Sequence, residues 1–581
     1  MKLADAVLTL LLFSGLHAAA QLPPDTTHTA PKPVPASAAP PVPTPPAQAI
    51  PVEGDDNQVL SAKLRGLVFV PNPDAVKKSG VAYPGIVFRN VAVPAQADFV
   101  KVVTPYLDKK FTRGHLNKLI ADIILFYRHH DRPIVDVIVP EQEITSGTVQ
   151  LVLLEGKVGK ITVTGNRWFS TGEIASGMPI HPGAPILSSE VQSDLDWINQ
   201  NPFRATDLVY RPGEKTGQTD LVLQTHDRFP ARFYAGYEDS GNSITGFDRY
   251  LAGFNYGDLF GIGQQINYQY TLSGNGENLR AHSGSYVIPL PWQNTLSFLG
   301  SYIDTKGLAG SNIGLMGRSY QISGRYSIPL PSLTFSQQVD YKHTFTTGFD
   351  YKYNNNALEF GGVVAPGTLY DVDQFSLGYN GTLNDPYGRT TINEQLYVSP
   401  GNWGGNNNDT AFANAHGGAS SNYVYNNLVL ERLTKLPQDF SLVLRGTVQT
   451  SNANLAPSEQ LGFGGYDTVR GYDEREVNTD EGYIFTTELR TPDVSLGDLF
   501  GVQAYKDPLQ FLGFWDYGAG YNHAPLAGEA SEIPLSALGF GVRYSINSYV
   551  TVRFDYGFQL LRTGLDNDQG SRSDLGIVIS Y

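Results

Sequence analysis

Residues 550–560 read VTVRFDYGFQL. Val550, Val552, Phe554, Tyr556, Phe558 and Leu560 are apolar, while Thr551, Arg553, Asp555, Gly557 and Gln559 between them are polar or small. Side chains of a strand point alternately to its two faces, so this period of two gives one face for lipid and one for water. Leu575, Ile577, Ile579 and Tyr581 alternate with Asp574, Gly576, Val578 and Ser580 in the same way. Upstream, as far back as Arg228, the chain continues as strands of about ten residues separated by clusters of Gly, Asn, Asp and Pro, the pattern of a β-barrel that crosses a membrane. A soluble β-sandwich would also alternate. The export signal described below, the unbroken run of long strands and the aromatic Tyr581 favour the barrel.

Dividing the residues after Arg228 by roughly 22 per strand and connection gives about sixteen strands, an even number as in bacterial outer-membrane barrels. Candidate strands begin near Ala231, Arg249, Gln264, Leu279, Asn294, Arg318, Leu333, Asp371, Arg389, Asn422, Phe440, Gly482, Leu509, Leu535, Tyr549 and Arg572. Composition agrees, with 61 Gly, 33 Tyr, 12% aromatic and only 17% charged residues among 581. The absence of cysteine removes disulfides, thiol nucleophiles and cysteine metal sites. A net charge of −15 argues against nucleic acid as a partner, because phosphate binding wants a basic surface.

Lys2, an apolar stretch over residues 6–16 and Ala18-Ala19-Ala20 read as a removable secretory signal over residues 1–20. The alternative is a buried N-terminal helix. No later segment has the ~20 consecutive apolar residues of a membrane-spanning helix, so insertion must use strands. Residues 21–57 form a Pro-rich linker, with residues 22–51 favouring extended polyproline-like conformations and unable to form a regular helix. This stretch is expected to be a mobile tether. Residues 58–82 are a short segment leading into the first of two repeats.

The first repeat, residues 83–156, has strands expected over 86–92, 134–139 and 148–154 and helices over 97–107 and 113–130. Leu116, Leu119, Ile120, Ile123, Ile124 and Tyr127 line one face of the longer helix. The second, residues 157–228, has strands over 160–164, 205–211 and 220–225 and helices over 170–176 and 188–199. Both read β-α-α-β-β, and each leaves a sheet edge that an extended peptide could join.

Several motifs lie on this frame. Val139-Pro140-Glu141-Gln142-Glu143-Ile144 precedes GTVQLVLLEG at residues 147–156, and Asn201-Pro202-Phe203-Arg204 precedes Pro212-Gly213 and Thr219-Asp220-Leu221. Gly464-Gly465-Tyr466-Asp467-Thr468 leads into Val469-Arg470-Gly471-Tyr472 between expected strands eleven and twelve. Phe514-Trp515-Asp516 falls on strand thirteen, where Phe511, Trp515, Tyr517 and Tyr521 share the lipid parity, while Phe514, Asp516, Gly518 and Gly520 share the lumenal one.

With these motifs the chain resembles the two-partner secretion transporters of the haemolysin and filamentous-haemagglutinin exporter type, over nearly its full mature length. The resemblance implies a mainly β protein, with two polypeptide-transport-associated (POTRA) domains before a sixteen-stranded antiparallel barrel over residues 229–581. It also implies a loop, residues 457–480, that folds back into the barrel so that Arg470 pairs with Asp516. A guanidinium in a narrow lumen needs a carboxylate, and Arg offers a planar two-pronged donor. The expected gating and transport residues are Val469, Arg470, Gly471, Tyr472, Phe514 and Asp516. The alternative is that the Arg470–Asp516 pair only braces the wall. Family members commonly carry an N-terminal plug helix. Given the prolines, either the plug is absent here or a segment around residues 57–65 replaces it.

Other signals are weaker. His129-His130-Asp131 reads as a solvated helix end, since adjacent histidines on a helix point apart. Lumenal Glu488 and Arg490 contribute to the channel field or are paired lining residues. No nucleotide loop or GxSxG elbow is present, so no enzyme activity or cofactor is expected. The resemblance implies a monomeric transporter in the outer membrane of a Gram-negative bacterium, contacting lipid and lipopolysaccharide. Its periplasmic domains would receive an unfolded partner exoprotein for the barrel to thread outward. The runner-up is an outer-membrane protein assembly factor, and a passive porin would leave the two small domains unexplained.

Overall fold

The computed structural model describes residues 29–34, 54–308, 313–336, 338–360, 363–501, 506–526, 530–562 and 570–581. The signal expected over residues 1–20 lies outside them. The chain divides into two compact units, one of Ser37–Arg228 and one combining Met1–Ala36 with Phe229–Tyr581.

Within the first unit, four strands form a mixed sheet in the order Gly85–Phe88, Gly66–Val70, Thr148–Glu155 and Val135–Ile138. The helix Arg113–His129 covers it, burying Leu116, Leu119, Ile120, Ile123, Ile124, Phe126 and Tyr127. Thr112 caps that helix by accepting the His115 N–H at 3.3 Å. Each buried aliphatic side chain contributes about 1.5–3 kcal/mol of burial, which holds so small a sheet together. A second sheet orders Lys157–Thr164, Gln218–Asp227 and Arg204–Pro212, with helices Thr171–Ser176 and Ser188–Ile198. Asp227 collects the N–H groups of Arg167, Trp168 and Phe169 at 2.7–3.0 Å, fixing the loop before the shorter helix.

Two readings of the first repeat are corrected here. The segment 58–82 contains Gly66–Val70, the fully buried strand between Gly85–Phe88 and Thr148–Glu155. A strand covered on both faces is continuously apolar, so GLVFV carries no alternation to announce it. Nor do residues 57–65 act as a plug, since Val59–Ser61 pairs with Phe111–Thr112 beside the helix cap.

The second unit is a closed antiparallel barrel of sixteen strands. Along the chain these are β1 Ala231–Glu238, β2 Arg249–Leu259, β3 Gln264–Ser273, β4 Leu279–Pro289, β5 Thr295–Leu308, β6 Ile313–Ser336, β7 Val339–Phe360 and β8 Val363–Asp385. The others are β9 Gly388–Pro400, β10 Asn422–Lys435, β11 Ser441–Ser451, β12 Glu481–Arg490, β13 Pro508–Tyr521, β14 Ile533–Ile546, β15 Val550–Gln559 and β16 Ser571–Ser580. Pairing of β1 with β16, Tyr234 opposite Ser580 and Glu238 opposite Gly576, closes the ring and leaves no edge. Alternation decides the faces: Phe233, Phe511 and Ile579 point outward, while Tyr234, Phe514 and Asp574 are buried within. At 24, 22 and 23 residues, β6, β7 and β8 exceed the ~10 that cross a bilayer and project from the rim opposite the chain's entry.

Leu333, expected to open the seventh strand, instead lies near the end of β6. Pairing with β7 continues across an irregularity between Leu330 and Leu333, where Pro331 has no N–H to give. A larger correction concerns the linker. Thr29–Val34 lies against the lumenal wall of β1, β2 and β4, with Thr29 and Val34 buried. The Lys32 N–H donates to the Tyr234 hydroxyl at 2.9 Å and its ammonium meets Glu238 at 2.5 Å. Arg232 donates to the Pro33 carbonyl at 2.8 Å, Asn255 to that of Lys32 at 3.1 Å, and Ser283 to that of Thr29. Contrary to the expectation that prolines exclude a helix here, Thr29 is helical, while residues 31–34 carry no regular structure and leave the Lys32 and Pro33 carbonyls free for donors on the polar wall.

Candidate functional site in the barrel lumen

Between β11 and β12 the chain turns into the lumen, forms a small hairpin of Leu461–Phe463 with Val477–Thr479, and presents Arg470 near its tip. The Arg470 Nε and Nη2 donate to the two oxygens of Asp516 at 2.7 and 2.9 Å, and its backbone N–H reaches the same carboxylate at 3.2 Å. Nη1 donates to Glu488 at 2.7 Å and approaches Asp555 at 3.4 Å. The guanidinium lies 3.5 Å from the centroid of the Phe514 ring. One cation therefore ties the loop to β12, β13 and β15 together, with both Arg470 and Asp516 buried.

Neighbouring residues fix the loop backbone. Val469 packs with Phe463, Tyr472, Ile484, Leu535 and Ala537. Tyr472 donates its hydroxyl proton to the Leu561 carbonyl at 2.5 Å and accepts the Ser536 N–H at 3.2 Å. Gln559 holds the Gly471 carbonyl at 2.8 Å. Gly471 has φ of +94°, and a Cβ on Gly557 would stand 2.7–2.8 Å from the Arg470–Gly471 backbone. Glycine at these two positions lets the loop lie directly on the wall.

A second layer surrounds Arg470. Asp555 accepts from Arg543 at 2.9 Å and Arg553 at 2.8 Å, while Arg553 also meets Asp467 at 2.6 Å and stacks 3.8 Å from the Tyr466 ring centroid. Arg490 donates to Glu488 at 2.9 Å. Alternating charges leave each buried carboxylate with a cation, the condition under which buried charge is tolerated.

All six motif residues, Val469, Arg470, Gly471, Tyr472, Phe514 and Asp516, thus meet in one place. Glu488 enters as the second carboxylate of Arg470, and Arg490 stands behind it. Sequence reasoning missed Asp555, Arg543 and Arg553 as members. Strand parity put Asp555 and Arg553 on one face, but nothing local says which side chain waits across the lumen. The histidine pair lies elsewhere: His130 donates from Nδ1 to the Phe126 carbonyl at 2.8 Å, and Asp131 accepts from the N–H and hydroxyl of Ser189 at 2.8 and 2.5 Å. Among the described residues no group of three or more His, Asp or Glu side chains could hold a metal.

Residues 217–544 match the family described as Haemolysin secretion/activation protein ShlB/FhaC/HecB, more than half of the chain, and residues 81–156 match the POTRA domain, ShlB-type. The chain belongs to the ShlB/FhaC/HecB family. This transporter is 25% identical over 496 residues to the heme/hemopexin transporter protein HuxB of Haemophilus influenzae, covering 81% of this chain and 82% of that one. It is 23% identical over 471 residues to the outer membrane transporter CdiB of Dickeya dadantii, covering 78% and 79%. The solved structure of CdiB from Escherichia coli has the same fold, with a TM-score of 0.73, 16% identity and 94% of each chain covered. CdiB from Acinetobacter baumannii gives 0.63 at 16% identity, covering 94% and 95%. As a family member the protein is an outer-membrane two-partner secretion transporter, with its POTRA region in the periplasm and a secreted exoprotein as its partner.

Proposed function

We propose that the Arg470 centre works as a gate for the exoprotein, holding the inward loop across the lumen until an unfolded partner arrives from the periplasm. The observation that carries this is one cation joined to three carboxylates on three strands. A brace for the wall alone would not need to come from a loop, because adjacent strands are already joined by their backbone hydrogen bonds. The two small sheets receive the partner by strand addition at their open edges, which gives backbone affinity without demanding one sequence. No nucleotide is needed, since folding of the partner outside the cell gives direction. The transporter acts as a monomer in contact with lipid and lipopolysaccharide, with no catalytic role.

The test is secretion of the partner by Arg470→Ala and Asp516→Ala variants whose barrels remain heat-modifiable and inserted. Arg470→Ala is expected to reduce secretion strongly, because it deprives three carboxylates at once, and Asp516→Ala to reduce it less. Wild-type secretion by Arg470→Ala would reduce the loop to a structural feature.

A further inference from the structure

A second buried ionic cluster fastens the same loop on the opposite side. Glu459 lies between the end of β11 and the lumenal hairpin, and its oxygens accept from the Lys352 ammonium on β7 at 2.8 and 2.9 Å. Gln374 on β8 donates to it at 3.0 Å, the Tyr425 hydroxyl on β10 at 2.9 Å, and Ser458 at 2.8 Å. Behind Gln374 stand the Tyr423 hydroxyl at 2.9 Å and Asp350 at 3.2 Å, the latter paired with Arg325 on β6 at 2.6 Å. Both Lys352 and Glu459 are fully buried.

The loop is therefore fastened on two sides: Arg470 to β12, β13 and β15, with Asp467 and Asp473 paired to Arg553 and Arg572, and Glu459 to β7, β8 and β10, where Leu455 and Ala456 pack in a buried cluster with Tyr370, Tyr423 and Tyr425. The two fastenings differ in strength of a kind that matters for opening. Arg470 has three carboxylates, an aromatic face and a glycine seat, whereas the carboxylate of Glu459 has one cation and three neutral donors. An ion pair buried in a closed lumen gains hydration when it separates, so its separation offsets part of its own cost. We propose that the Lys352–Glu459 pair is the releasable latch, the contact that parts first and loosens Glu459 and its neighbours from the β7–β10 wall before the Arg470 gate yields. Lys352 and Glu459 are thus positioning residues for the passage of the partner. This rests on the transport reading, but its first test needs no partner.

In planar bilayers, Glu459→Gln strips the Lys352 ammonium of this carboxylate, and Lys352→Gln does the converse. Each is expected to raise open-state occupancy at least about tenfold, since a lost ionic contact of ~1.4 kcal/mol already shifts an equilibrium that far. The double variant leaves neither charge and is expected to open less than either single one. Additive increases, or unchanged occupancy in inserted single variants, would overturn the latch. Should the single variants fail to insert, cysteines at 352 and 459, unique in a chain that has none, can be joined by a reductant-cleavable linker. Secretion is then expected to stop while the linker is intact and resume on reduction. Undiminished secretion through the bridged protein would overturn the proposal, whereas loss of secretion by the wild type would instead sink the transport reading.

Discussion

Arg470 serves three acceptors through different nitrogens, so its shape matters as much as its charge. Lysine carries one compact ammonium and cannot hold Asp516 by two prongs while reaching Glu488. Arg470→Lys is expected to insert normally yet lose most secretion, which a secretion assay beside a heat-modifiability gel would check. Breaking a buried pair costs about 3–5 kcal/mol, and lumenal water lessens that, so the barrel itself should survive. Gly557→Val tests the seat rather than the charge. Its Cβ would meet the loop backbone at 2.7–2.8 Å, so bilayer conductance is expected to rise with every charge still present. A wild-type trace from Gly557→Val would show that the loop does not depend on this close approach. Parity along β13 and β15 made Asp516 and Asp555 legible as lumenal. Their partnership with one arginine was not legible from the strands, because it joins residues 46 and 85 positions apart through a loop whose path local pattern does not encode.

At the scale of elements, the amphipathic helix Arg113–His129 was readable because its apolar residues recur at helical spacing. Gly66–Val70 was not, because burial on both faces removes the period on which strand reading depends. Ile123, a residue of that helix, is fully buried. Ile123→Ala is expected to cost the first periplasmic sheet about 2–5 kcal/mol and to make it sensitive to proteolysis while the barrel stays inserted. Protection equal to wild type would mean that this helix contributes little to the fold. The Pro-rich stretch departs from a mobile tether at residues 29–34 because proline content says nothing of the wall side chains that hold it, Tyr234, Glu238, Arg232 and Asn255. The Lys32 amide, bonded to Tyr234, is expected to exchange slowly with solvent, and Glu238→Ala to speed it by removing the ion pair that anchors the residue. Random-coil exchange at Lys32 in the wild type would restore the mobile tether.

For the whole molecule, alternating strands close into a ring whose lumen holds a loop fastened to the wall on two sides. That the exoprotein travels inside this ring, rather than along its outer face, can be read directly by site. Ser376 and Leu377 are neighbours on β8, the first buried toward the lumen and the second 42% exposed toward lipid. Because the chain has no cysteine, a single one at either position is unique. With a partner carrying one cysteine and a folded domain that stalls it in transit, a thiol crosslink is expected from Ser376→Cys and none from Leu377→Cys. Crosslinking from Leu377→Cys with none from Ser376→Cys would contradict transport through the lumen.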